Sequence, residues 1–141
     1  MVESLRSALS DLQGKLFEMS REKGYNSEAF IAAFMTSQIA DDLDADFNHV
    51  QWAGKEYVMD RIERELKDKL VKGGEIYDIE TLYWTGYLYR QWHYYTGEKS
   101  KDIYKQAKAK RMCSLYYPYH TMSVEMAIDR IKESNLERKK K

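Results

Sequence analysis

Apolar residues along the chain recur at intervals of three and four, the period of an amphipathic helix. From Glu3 to Lys23, Leu5, Leu9, Leu12, Leu16 and Met19 form one stripe. A second segment follows Asn26-Ser27, either of which can cap it, and puts Phe30, Ile31, Phe34, Met35, Ile39 and Leu43 on one side. A third runs from Lys55 to Lys72. It turns Val58, Ile62, Leu66 and Leu70 inward and sets Glu63–Lys67, Glu65–Lys69 and Asp68–Lys72 at i,i+4 on a solvated face. The fourth, Ile79 to Thr96, is capped by Asp78 and carries apolar or aromatic residues on every side, the pattern of a central helix. A fifth starts after Ser100 and includes Ile103, Tyr104 and Ala107. A sixth follows Thr121 or Ser123, with Val124, Ala127, Ile128 and Ile131 inward. Between these two, Met112 to His120 is aromatic and irregular, with room for one short strand near 112–119.

The punctuation agrees with helices. Gly24, Gly73-Gly74 and Gly97 each follow a periodic stretch, where a left-handed residue ends a helix. Pro118 is the single proline, too little turn chemistry for an all-β chain. The fold class is therefore all-α: one domain, 1–136, of five to six helices around the central aromatic helix 79–96, followed by a frayed basic tail, 137–141. At 141 residues, roughly 69% of the unfolded surface goes inside, so the core needs no staple. Cys113 is the single cysteine, which excludes an internal disulfide framework and a multi-cysteine zinc site. The longest apolar run is the seven residues Ala29 to Met35, far short of a membrane span. The opening MVESLRSALSDL has no apolar signal core. A soluble, cytoplasmic protein that does not enter membranes is expected.

Charge is balanced in total, 23 bases against 23 acids, but not along the chain. Residues 1–80 hold 17 acids and 10 bases; residues 81–141 hold 6 acids and 13 bases. Nine of the twelve tyrosines lie in the basic part. Its sharpest patch is Lys99, Lys101, Lys105, Lys108, Lys110 and Arg111, opposed only by Asp102. Bases near aromatics suit single-stranded nucleic acid or an acidic partner. The plainer reading is a surface helix with lysines outward and aromatics in the core.

Most candidate chemistry fails on spacing. In Asp41-Asp42-Leu43-Asp44-Ala45-Asp46-Phe47-Asn48, a calcium loop starting at Asp42 meets Phe47 where glycine must turn and Ala53 where a bidentate glutamate is needed. The run reads instead as solvated acids at a helix end, a mildly unfavourable position that a cation, internal or external, would offset. His49, His93 and His120 form no zinc pair. Cys113 and His120 would make a nucleophile and base only if the fold joined them; a lone cysteine among tyrosines is more often packing. No phosphate loop or nucleophile elbow is present, and no metal or cofactor is expected. One stripe stands out. Gly86, Arg90, His93 and Gly97 follow at 4, 3 and 4 on the otherwise apolar fourth helix. A buried guanidinium must be paired, with Glu80 and tyrosine hydroxyls as candidates within the chain. The stripe reads either as a pocket, with Arg90 holding an anion beside His93 and His120, or as a contact with water or a structural carboxylate. Gly86 inside a helix costs about 1 kcal/mol, which close approach of another backbone would explain.

The segment Thr81 to Ala107, followed by Tyr117 to Ile131, resembles a group of small uncharacterised bacterial proteins linked to toxin–antitoxin-like gene pairs, including pairs with predicted ADP-ribosylating toxins. The positions that carry it are Trp84, Gly86, Tyr87, Tyr89, Arg90, Trp92, Ser100, Ile103, Tyr104, His120 and Thr121. The resemblance implies an accessory or neutralising partner rather than an enzyme, and a cognate toxin as partner. Three functional expectations result. The first is a non-enzymatic protein-interaction module using Trp84, Tyr87, Trp92 and Tyr95. The second is nucleic-acid binding through 99–111 and the C-terminal lysines. The third is a ligand binder or enzyme with Arg90, His93 and His120 in one cavity. The oligomeric state stays open, a homo-oligomer included.

Overall fold

Two helices that cross at glycines form the axis of the molecule: α1 (Glu3–Glu22) and α5 (Ile79–Thr96). A Cβ on Gly86 would lie 2.6 Å from the Gln13 carbonyl oxygen, and one on Gly14 would lie 2.6 Å from the Tyr83 ring. The backbone approach inferred from Gly86 is therefore real, and a methyl on either helix would hold the pair apart. The computed structural model describes residues 3–45 and 54–140. Among them the elements are α1, α2 (Ser27–Met35), α3 (Gln38–Asp44), α4 (Lys55–Glu65), α5, α6 (Ser100–Gln106), α7 (Ala109–Tyr119) and α8 (Val124–Lys140). No strand occurs among the described residues, and the sole bridge is Tyr25 with Lys72. No described helix is long and apolar enough to cross a membrane.

The all-α class and the central place of α5 stand, since α5 packs against α1, α6, α7 and α8. Among the described residues the count rises from the expected five or six helices to eight, because one segment divides and one helix is added, and a further segment is shortened. The second segment divides at Thr36-Ser37. Ser37 is extended and its Oγ accepts from the Ala40 N–H at 3.2 Å, so it caps a new helix instead of continuing the old one. The third segment stops at Glu65 rather than Lys72. Beyond it the backbone is needed elsewhere: Asn26 N–H donates to Val71 O at 2.7 Å, Gly73 N–H to Gly24 O at 2.8 Å and Ser27 N–H to Glu75 O at 3.1 Å. The expected i,i+4 pairs are replaced, with Glu63 held by Lys23 at 3.2 Å and Glu65 by Arg61 at 2.6 Å. The stretch given room for a strand is helix α7. Ala109 and Met112 are buried, and Cys113 and Tyr119 continue that face at helical spacing, which overrides the strand preference of tyrosine. Pro118 sits in the last turn, where the helix ends. α8 runs on to Lys140, past the domain boundary expected at 136.

Phe17, Phe30, Phe34 and Tyr89 form the aromatic centre of the core, with edge contacts from Phe17 at 5.8, 5.6 and 6.3 Å. Every predicted inward residue of the second segment is fully or almost fully buried. The face of α1 is rotated from its leucine stripe. Leu9, Leu16 and Phe17 are buried together with Ser10, Gln13 and Ser20, while Leu5, Leu12 and Met19 are half-buried at the edge. That rotation places a polar side chain, Gln13, in the middle of the molecule.

Candidate functional site

Arg90 is 1% exposed, and each nitrogen of its guanidinium is hydrogen-bonded. Nη1 donates to Asp44 Oδ1 at 2.6 Å, Nε to Gln13 Oε1 at 2.9 Å and Nη2 to Ser100 Oγ at 3.3 Å. Asp44 also accepts from the Ser100 N–H and hydroxyl, both at 2.8 Å. Gln13 uses its amide N–H on Gly86 O at 3.0 Å. One network thus ties α1, α3, α5 and α6 together. Asp44 meets the charge at 2.6 Å with both side chains buried, so the guanidinium is neutralised inside the fold.

Glu80, offered as a partner of Arg90, is exposed and lies elsewhere; the partner is Asp44. Asp44 carries the sequence signal of an acid at a helix end that needs a cation, and the cation is internal. Asp42 of the same run is held by Arg61 at 2.8 Å. Asp46 to Asn48, His49 and Ala53 fall outside the described residues. Gln13 and Ser100 carry little signal singly, but Ser10, Gln13, Phe17 and Ser20 follow at 3, 4 and 3 and trace the true inner face of α1.

His93 belongs to the same neighbourhood. Nδ1 lies 2.7 Å from Glu98 O and Nε2 lies 3.1 Å from Asp44 O, with the Asp44 carboxylate 3.7 Å from Nδ1. Two carbonyl oxygens face the two ring nitrogens, an arrangement in which the imidazolium donates to both and neutral imidazole to one. His120 does not join Arg90 and His93. It is exposed at the end of α7, its Nδ1 faces the Tyr116 and Tyr117 carbonyls at 2.9 and 3.0 Å, and its ring stacks on Tyr116 at 4.5 Å. The three-residue pocket is thus two separate places, and a His120–Cys113 pair is not formed among these contacts. Burial pushes the Cys113 thiol up, with Glu75 and Asp78 adding to it.

The place that holds His120 is a surface groove of about 670 Å³ between α5, α7 and the C-terminal part of α1. Its floor is aromatic: Tyr83, Trp84 and Tyr87 from α5 and Tyr116 from α7. Trp84 meets Tyr116 edge-on at 5.7 Å, and Tyr83 stacks on Tyr87 at 5.9 Å. Glu18 and Glu80 stand at its rim. The Tyr83 hydroxyl donates to Asp11 Oδ1 at 2.5 Å, and burial together with that acid pushes its pKa up. Trp84 and Tyr87, two of the four aromatics expected to bind a partner, therefore share one partly open groove. The other two are elsewhere. Trp92 is fully buried, with its indole N–H on Glu98 Oε1 at 2.9 Å, and is a core residue. Tyr95 is 48% exposed and donates to Asp129 on α8.

Glu98 is the second polar hub. Burial resists its ionisation, but hydrogen bonds from Lys132, Trp92, Gln106 and Thr96 overcome this and hold its pKa down to about 2. Lys132 Nζ reaches it at 2.6 Å and Gln106 Nε2 at 2.5 Å, joining α5, α6 and α8. The basic segment 99–111 does not form one face. Lys99, Lys101, Lys105, Lys108 and Lys110 are exposed and Arg111 is half-buried. Lys101 borders the α2–α3 junction, whereas Lys105 and Arg111 turn toward α8. Compared with models of protein families, with curated proteins and with solved structures, the chain finds no match.

Proposed function

We propose that this chain is a non-enzymatic helical interaction module whose partner docks in the Tyr83–Trp84–Tyr87–Tyr116 groove. The observation that carries the reading is the groove itself: aromatic rings left partly open, beside His120, with Glu18 and Glu80 at the rim. Tyrosine and tryptophan supply most binding energy at interfaces because they bury large area at small entropic cost. Aromatic faces beside carboxylates favour a basic side chain, which gains cation–π and ionic contact together. The partner chemistry is therefore a protein segment with lysine or arginine among apolar residues. The Arg90 network supports the same view, since each guanidinium nitrogen is hydrogen-bonded inside the fold and Asp44 meets its charge. The resemblance of 81–107 and 117–131 to proteins of toxin–antitoxin-like gene pairs adds a candidate for that partner, a toxin encoded beside this chain in a bacterial operon and neutralised in the cytoplasm.

The test is recovery of partners from native lysate by the tagged chain, with and without nuclease, in parallel with Tyr87→Ala and Glu80→Lys. One stoichiometric protein is expected to survive nuclease and to drop at least tenfold with either variant. Both variants should keep the melting temperature of the wild type within a few degrees, as neither side chain is buried. A partner retained equally by both variants, or an empty bait, contradicts the reading.

A further inference from the structure

Another concave surface of the molecule is basic. Where α6 and α7 face the C-terminal half of α8, Lys105, Arg111, Lys132, Arg138 and Lys139 line a recess of about 760 Å³, and no carboxylate lines it. These cations come from three helices and lie up to 34 positions apart, so folding has gathered them. Acids do reach its edge: Lys132 is held by Glu98 at 2.6 Å, and Lys105 lies 3.7 Å from Asp102. Arg111 and Arg138 pair with no carboxylate among the described residues. Arg111 Nη1 donates to the Gln106 carbonyl at 3.0 Å and to Asn135 Oδ1, which fixes the guanidinium without neutralising it. Burial first, and then repulsion from Arg138, lower the Arg111 pKa from its usual value.

We infer that this recess binds the phosphate backbone of a nucleic acid, on a surface separate from the aromatic groove. Lys132 and Lys139 are two turns apart on α8, about 10 Å, a span that covers about three phosphates at 3.4 Å rise per strand. A lone phosphate would touch one end of such a row; a strand runs its length. The lining has one apolar side chain, Leu136, and no aromatic ring, so bases have nothing to stack on and contact is confined to the backbone. A bilayer meets flat or convex faces, and these cations line a hollow.

Fluorescence anisotropy of a labelled mixed-sequence oligonucleotide, as single strand and as duplex, tests this between 50 and 200 mM salt. Binding is expected without sequence preference, with a log–log salt slope of about −2 to −3 for three phosphates. Arg138→Ala with Lys139→Ala should weaken it at least tenfold and reduce the slope by 1 to 2, while Lys99→Ala with Lys101→Ala should leave both unchanged. No binding at 50 mM salt overturns the proposal, as does equal loss in the two double variants. Displacement of the probe by inorganic phosphate at matched ionic strength, or pelleting with phosphatidylserine vesicles that excludes the probe, also overturns it.

Discussion

At the scale of single residues, Asp44 decides what Arg90 does. It accepts hydrogen bonds from a guanidinium, a backbone N–H and a hydroxyl, and its side chain is 8% exposed. Removing one partner of a buried pair leaves the other charge without compensation, at a cost of about 3–5 kcal/mol. Asp44→Ala should therefore lower the melting temperature by about 10 °C or more in a thermal scan, and Asp44→Leu with Arg90→Met should recover part of that loss. An unchanged midpoint in Asp44→Ala would mean that the network does not hold the fold. Arg90 and Gly86 were legible as special because both break the apolar pattern of the helix between Ile79 and Thr96. Their partners were not. Asp44 and Gln13 lie 46 and 77 positions from Arg90, and local spacing carries no information about such pairings.

At the scale of elements, periodicity located the long helices, the central place of α5 and the inward faces of α2, α3, α4 and α8, while the errors fell where side chains redirect the backbone. Ser37 ends one helix by capping the next. Residues 71–75 leave the helix to satisfy the turn after α1. Tyr116 to Tyr119 look strand-like and are held helical by the buried Ala109–Met112 face. The joint between α5, α6 and α8 rests on Glu98, and it makes that joint sensitive to acid. The folded pKa of about 2 lies below the ordinary value of 4.5. The contribution is therefore complete above pH 4.5 and is lost as pH falls toward 2. For a carboxylate 28% exposed it is on the order of 2 kcal/mol. Urea midpoints at pH 6 and pH 3 should converge for Glu98→Gln relative to the wild type. An equal acid loss in both proteins would assign the sensitivity to other carboxylates.

At the scale of the whole molecule, the division of charge along the sequence becomes a division of surfaces. The C-terminal bases that fold together line the recess of α6, α7 and α8, and the aromatic groove keeps the N-terminal half's acids, Glu18 and Glu80, at its edge. The excess of tyrosine also divides. Tyr89 and Tyr104 are core, Tyr94 packs under Arg6 at 5.1 Å, and Tyr83, Tyr87 and Tyr116 form the groove. Composition announced that aromatics were in surplus; the packing of α5 against α1, α6, α7 and α8 decides which of them face out. The most direct measurement is hydrogen exchange by mass spectrometry on the chain alone and bound to the partner it recovers. New protection is expected in 79–87 and 113–120, with 132–139 unchanged by a protein partner. Protection confined to α8, or none at either end of the groove, would contradict docking at the aromatic surface.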